Sequence, residues 1–139
     1  MTSNKPLAKV RFPSRAYQLK QIRCVVNNAI KTLALPSKNV DQIVLAINEA
    51  CMNIIQHGYG AGQVGEIVLE ILLLDNEILF RLSDFAKPID VKKIKSRDLN
   101  DVRPGGLGVH FINEIMDEVQ YLHKDDGSGN VLEMKKYIK

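Results

Sequence analysis

The chain has 139 residues, 45% of them apolar, which suits one domain of ordinary size with a single buried core. Its net charge is only +3, and the densest basic stretch, residues 92–97, is typical of a solvated loop rather than a nucleic-acid-binding surface. Two cysteines without metal-like spacing argue against a disulfide framework, and no apolar run is long enough to cross a bilayer. We therefore expect a cytoplasmic protein with no direct contact to nucleic acid or membrane.

The chain begins with a short predicted strand and an amphipathic helix. Residues 8–12 favour a strand, and Ser14 is placed to cap a helix that reaches about Leu33. Leu35-Pro36 interrupts the helical pattern. The apolar residues of this helix recur at helical spacing and predict its buried face: Leu19, Ile22, Val26, Ala29, Ile30 and Leu33.

A second helix is predicted from a cap at Ser37 or Asn39 to about His57. The glycines that follow, from Gly58 to Gly62, end it and form a loop. Its apolar residues also fall on one side: Val40, Ile43, Val44, Ile47, Cys51 and Ile54.

The next segments predict a β-hairpin and then a long loop. Residues 66–74 and 77–83 are rich in strand formers, with a turn signal at Asp75-Asn76 between them. Residues 84–104 carry two prolines, many charges and few apolar side chains. Loops of this length in compact domains are usually functional, so we interpret residues 86–104 as a lid.

A glycine-rich turn at Gly105–Gly108, one more helix and two strands, over residues 118–123 and 131–138, complete the chain. Strands and helices do not alternate regularly along it. This order predicts an α+β two-layer sandwich, with a mixed, mostly antiparallel sheet and helices on one face.

One polar stripe on the second helix is a candidate metal site. Glu49, Asn53 and His57 are four residues apart, and each such step turns a helix by about 40°, so their side chains point roughly together. A solvated helix face is the alternative. Asn is a weak helix former, however, and Asn48 and Asn53 both stand inside the helix. Asn53 beside a carboxylate is suited to Mg²⁺, which prefers oxygen ligands.

The glycine-rich segment is a candidate phosphate site. In Arg103-Pro104-Gly105-Gly106-Leu107-Gly108 the glycines precede a helix, whose first N–H groups and positive dipole end favour an anion. An ordinary tight turn would look the same, and the segment matches neither a P-loop nor a dinucleotide fingerprint. Asp84, at the end of a predicted strand, is either a turn residue or an acceptor for an exocyclic amine such as that of adenine.

Taken in order, these blocks resemble the ATP-binding domain shared by gyrase, the ninety-kilodalton heat-shock chaperone, histidine kinases and MutL repair proteins, which has the Bergerat fold. The matching blocks are Glu49–Tyr59, Asp84 with Pro88-Ile89-Asp90, and Gly105–Ile112. The runs Gly108–Tyr121 and Gly129–Met134 are most similar to the small bacterial anti-sigma-factor serine/threonine kinases. The similarity extends from Phe12 to Tyr137.

The resemblance implies a role for each matching residue. Glu49 would be the catalytic base, Asn53 would hold Mg²⁺, and Asp84 would bind the adenine amino group. The other nucleotide contacts would come from the helix end, the start of the lid and the glycine-rich segment: His57, Ala86, Arg103, Gly105, Gly106, Leu107, Gly108 and Val109. Arg103 is equally well explained as a solvated lid residue.

The resemblance also implies an ATP-dependent kinase that binds a sigma factor, phosphorylates a small anti-sigma-factor antagonist and forms a homodimer. The family usually has glycine two residues after the adenine-binding aspartate, where this chain has Ala86. That methyl group could restrict close approach or a positive φ. A non-catalytic module that senses ATP is therefore an alternative. A histidine-kinase catalytic domain fits less well, because only about a dozen residues precede the first predicted helix.

Overall fold

The computed structural model describes residues 4–59, 63–87, 106–124 and 127–138, with residues 106–109 described by their backbone alone. Its helices are α1 (Leu19–Ile30), α2 (Ser37–Asn53) and α3 (Gly106–Ile115). None of the helices in these ranges combines the length and the apolar character needed to span a membrane. The strands are β1 (Lys5–Pro13), β2 (Glu66–Leu73), β3 (Glu77–Asp84), β4 (Glu118–His123) and β5 (Asn130–Tyr137).

The strands form one sheet in the order β1-β2-β3-β5-β4. Every strand pairing within the described ranges is antiparallel, so the parallel pairing that a mixed sheet requires is not found there. No parallel neighbours arise there because, after β3, the chain first forms the outer strand β4, which does not pair with β3. A hairpin then brings β5 back between β4 and β3.

The two faces of the sheet differ as the predicted α+β sandwich requires. On one face, alternate residues of the central strands pack with the helices into the core: Ile67, Leu69 and Ile71 of β2, with Ile78, Phe80 and Leu82 of β3. The other face carries a charged ladder in which Arg81 lies 2.8 Å from Glu133 and 3.7 Å from Glu70. The prediction of helices on one side of the sheet is confirmed.

The region around α1 differs from the prediction at both ends. Ser14 does not cap the helix, because its hydroxyl accepts a hydrogen bond from Gly65 N at 2.9 Å and its own N–H donates to Gly65 O at 2.8 Å. This pair of bonds ties the end of β1 to the segment before β2. The helix proper begins at Leu19 after a 3₁₀ turn, and a second 3₁₀ turn ends at Ala34, which has a left-handed φ of 56°. The predicted apolar face nevertheless packs into the core, where Leu19, Ile22, Val26 and Ile30 are buried and Ala29 and Leu33 are partly buried.

The second helix is bounded differently from the prediction as well. Pro36 occupies the N-cap position, so neither Ser37 nor Asn39 caps α2. Proline suits a helix start because the first turn needs no partner for its N–H. The α-helical bonds stop at Asn53, and Ile54–Gly58 continue as a π-helical turn rather than as regular helix to His57. Such turns often occur at functional sites.

The two cysteines are predicted to react very differently. Cys24 is exposed on α1, whereas Cys51 is fully buried on α2, and burial raises the pKa of its thiol to about 12. Because the thiolate is the reactive form, one thiol per chain should react with a disulfide reagent at pH 8 in the native protein, and two in denaturant. A Cys24→Ser variant should show no native reaction. Rapid native labelling of that variant would contradict the buried placement of Cys51.

Candidate functional site

Two asparagines stand inside α2, and their environments differ. Asn48 is 9% exposed, and its Oδ1 accepts a hydrogen bond from Arg23 Nη1 of α1 at 2.9 Å. That bond provides a structural reason for a poor helix former at this position. Asn53 is also partly buried, but its Oδ1 is shielded from solvent and has no hydrogen-bond partner among the described residues.

An unpaired buried carbonyl oxygen normally costs about 1–3 kcal/mol, so Asn53 needs an explanation other than stability. An amide oxygen is a suitable ligand for Mg²⁺, and the residue one turn earlier, Glu49, offers a carboxylate. Glu49 is half-buried and forms no ion pair with any residue that the structure describes. The donor chemistry of this part of α2 therefore fits a hard divalent cation.

His57, the third member of the predicted stripe, is exposed and lies in the π-helical turn. A π turn holds more residues than an α turn, so the regular 40° step that predicted the stripe does not extend from Asn53 to His57. Glu49 and Asn53 are therefore one α-helical turn apart, whereas His57 lies in the π-helical turn and does not continue their stripe.

The predicted phosphate cradle is described only in part. Arg103 and Gly105 lie outside the described residues, as do residues 88–104 of the predicted lid. The helix begins at Gly106, inside the glycine-rich segment rather than after it, so Gly106, Leu107, Gly108 and Val109 form the first turn of α3. This helix packs against α2, the helix that carries Glu49 and Asn53. His110 Nε2, at the start of the described side chains, is buried without a hydrogen-bond partner among the described residues.

Asp84 ends β3 in a buried corner. The residue is 5% exposed, and its Oδ1 accepts hydrogen bonds from Ala86 N and from Asn130 Nδ2, each at 3.0 Å. Among the described residues, every hydrogen bond to this carboxylate ends on Oδ1. The second oxygen, Oδ2, is thus left to accept a donor such as an exocyclic amine.

Tyr59 connects this corner to the end of α2. Its hydroxyl accepts a hydrogen bond from Phe85 N at 2.8 Å and donates one to Glu66 O at 2.5 Å. Burial raises the pKa of this phenol, so the hydroxyl keeps the proton that it donates. The residue that follows the π turn thereby fixes the backbone directly after Asp84, and the predicted helix and strand-end blocks meet in space.

The described parts of the three sequence blocks that resemble a known ATP-binding domain thus lie at the end of α2, at the end of β3 and in α3 with its glycine-rich start. The sequence profile of the histidine kinase-like ATPase domain matches residues 12–136. This chain belongs to that family. The resemblance drawn from the three sequence blocks is confirmed.

Among curated relatives of this histidine kinase-like ATPase domain are proteins named serine-protein kinase RsbW from Bacillus thuringiensis and Bacillus cereus. Each is 29% identical to this chain over 139 residues, and the match covers 94% of this chain and 84% of the relative. Their name is that of serine-protein kinases, in agreement with the kinase subfamily to which the runs Gly108–Tyr121 and Gly129–Met134 are similar.

Solved structures agree with the fold. The RsbU and RsbW domains of a Mycobacterium tuberculosis protein match with a TM-score of 0.66 at 15% identity, covering 94% of this chain and 32% of that chain. A chain of the SiaB–SiaC complex from Pseudomonas aeruginosa matches with a TM-score of 0.62 at 14% identity, covering 96% of this chain and 91% of that chain. The histidine kinase-like α+β fold is thereby confirmed.

The departure at Ala86 has a simple structural explanation. Its backbone does not adopt a positive φ, since Ala34 is the one non-glycine residue in the described ranges that does. Ala86 is buried, and its N–H is committed to Asp84 Oδ1. The restriction on φ that the methyl group suggested therefore does not apply at this position.

Sequence reasoning gave no role to two residues of the Asp84 corner, Tyr59 and Asn130. Tyr59 lies inside a matching block, but its partners Glu66 and Phe85 are 7 and 26 residues away, and helical or strand periodicity does not reveal such contacts. The predicted last strand covers residues 131–138 and leaves Asn130 outside it. The sequence contains one weak signal for Asn130: the Gly129-Asn130 pair directly precedes the alternating residues of the last strand, and no other turn residue separates them.

Proposed function

We propose that this chain is an ATP-dependent protein serine/threonine kinase that acts as an anti-sigma factor in a partner-switching pathway. The observation that carries the proposal is that Asn53 Oδ1, one helical turn from Glu49, is buried without a hydrogen-bond partner in the described part of the chain. The neighbouring Asn48 is satisfied by Arg23, so unpaired asparagine oxygens are not a general property of α2. The names of the Bacillus relatives support the same reaction class.

The proposed transfer uses few groups. The hydroxyl oxygen of a serine or threonine on the antagonist attacks the γ-phosphorus, the bond from that phosphorus to the β,γ-bridging oxygen breaks, and ADP leaves. Glu49 accepts the hydroxyl proton. Asn53 is the proposed protein ligand of Mg²⁺, which when bound neutralises phosphate charge.

The remaining predicted contacts complete the proposed nucleotide site. Asp84 would accept a hydrogen bond from the adenine amino group through Oδ2, and Ala86 borders that corner. The first turn of α3, with Gly105 before it, would offer N–H groups to the phosphates. Arg103 is proposed as a phosphate contact within a lid over residues 86–104, and His57 as a further contact at the end of α2.

The proposed partners follow from the resemblance. They are a sigma factor, which the chain would sequester, and a small anti-sigma-factor antagonist, which it would phosphorylate. We also propose that the chain works as a homodimer. Sedimentation with and without Mg·ATP would measure this state, and a monomer at all concentrations would contradict it.

Asp84→Asn should weaken ATP binding about 10- to 100-fold, the usual range for losing a hydrogen bond to a charged group. The substitution keeps the oxygen that Ala86 and Asn130 contact and places an amide donor opposite the adenine amine. Isothermal titration with Mg·ATP measures the loss. Asp41→Asn is the matched control, because Asp41 is exposed on α2. Equal affinity of the Asp84→Asn variant and the wild type would contradict the assignment.

A transfer assay separates the kinase from the alternative, an ATP-sensing module without catalysis. We expect label from γ-phosphate-labelled ATP to appear on a serine or threonine of the antagonist. Binding heat without any phosphorylated protein would favour the sensing module. Absence of binding to both Mg·ATP and Mg·ADP would eliminate both functions while leaving the fold intact.

A further inference from the structure

Asn130 is the first residue of β5 and lies directly opposite Asp84 in the sheet register. It is 5% exposed, although asparagine is usually found on protein surfaces. Its Nδ2 donates to two acceptors, Asp84 Oδ1 and Lys87 O, each at 3.0 Å. Both hydrogens of the amide are therefore used, one on the carboxylate and one on the chain three residues beyond it.

The backbone around Asn130 is adapted to this close approach. A Cβ atom at Gly129 would overlap the carbonyl oxygen of Asp84 and come within 2.9 Å of Phe85 Cα. Only glycine lets β5 begin so near the end of β3. On the same side, the Lys124 ammonium lies 3.4 Å from the centre of the Phe85 ring. The β4–β5 turn thus packs directly on the residues that follow Asp84.

We propose that Asn130 is a positioning residue for adenine recognition: it holds Oδ1 of Asp84 so that Oδ2 alone faces the nucleotide amine. The amide also anchors Lys87, so the carboxylate and the start of the following segment are fixed by one side chain. This inference rests on the proposed function of Asp84. It adds that the direction of the carboxylate is set from β5, a strand that contributes none of the predicted contacts.

The test compares ATP with purine riboside triphosphate, which lacks the 6-amino group. Wild-type protein should prefer ATP by about 10- to 100-fold, the range for one hydrogen bond to a charged group. In Asn130→Ala this preference should fall to about threefold or less, while the affinity for purine riboside triphosphate changes by less than about threefold. Asn28→Ala, at an exposed position of α1, is the matched control and should keep the wild-type preference.

A double-mutant cycle shows whether Asn130 acts through the carboxylate. In an Asp84→Asn background, adding Asn130→Ala should reduce the preference for ATP no further. Should Asn130→Ala fail to fold by circular dichroism, Asn130→Ser retains one short donor and should show a preference for ATP between that of the wild type and that of Asp84→Asn.

The outcomes distinguish this inference from the proposed function. Failure of the wild type to bind either nucleotide overturns both. Wild-type preference retained in folded Asn130→Ala overturns the positioning role alone. An equal loss of affinity for both nucleotides also overturns it, because that result means a general structural role.

Discussion

Replacing Glu49 by glutamine should reduce phosphoryl transfer by about 10²- to 10⁴-fold, the usual contribution of a general base. Glutamine keeps the shape and one acceptor oxygen of the side chain but cannot accept the hydroxyl proton. The affinity for Mg·ATP should stay within about threefold of wild type, because the proposed role of Glu49 is to accept the proton of the attacking hydroxyl and the proposed metal ligand is Asn53. Single-turnover transfer and calorimetry measure the two quantities separately.

Glu114→Gln is the matched control for this experiment. Glu114 is exposed on α3, so its replacement removes the same charge from the surface without altering the proposed base. We expect this control to transfer phosphate at the wild-type rate. Transfer by Glu49→Gln at that same rate would show that another group, or the solvent, accepts the proton.

The second large effect concerns the two asparagines of α2, which should give opposite results. Asn53→Ala should weaken Mg·ATP binding by at least about tenfold, a loss of roughly 1.4 kcal/mol, because it removes the proposed metal ligand. It should not lower the free energy of unfolding, since it removes an unpaired buried oxygen and alanine is the better helix former.

Asn48→Ala should show the reverse pattern. It leaves the Arg23 guanidinium without its acceptor, so the free energy of unfolding should fall by about 1–3 kcal/mol. Nucleotide affinity at a temperature where the variant is folded should remain near wild type. Urea unfolding and calorimetry in Mg²⁺ or in EDTA measure both properties. If the two variants lose stability and affinity in parallel, the separate roles of these residues are wrong.

The sequence predicts the order and type of elements well, because amphipathic spacing reports directly on which side of an element is buried. Leu19, Ile22 and Val26 were correctly assigned to the core in this way. Helix starts were predicted poorly. Ser14 looked like a cap, but a partner 51 residues away, Gly65, takes its hydroxyl. Local propensity contains no information about such a distant bond.

At the candidate site, too, local sequence patterns single out residues, whereas contacts between distant parts of the chain are not predicted. Glu49, Asn53 and Asp84 were singled out because unusual residue types occur in periodic or strand-end positions. The regular stripe failed at His57, since a π-helical turn depends on packing rather than on any local rule. Tyr59 and Asn130 contact Phe85 and Asp84, which are 26 and 46 residues away along the chain, and could be found only from coordinates.

The corner around Asp84 is ordered by bonds of the chain to itself. Tyr59, Ala86 and Asn130 reach it from three separate stretches of sequence and fix both the carboxylate and the peptide after it. In the proposed complex, little conformational entropy therefore remains to be lost at this corner when a purine ring binds. Base recognition there should then be enthalpically favourable.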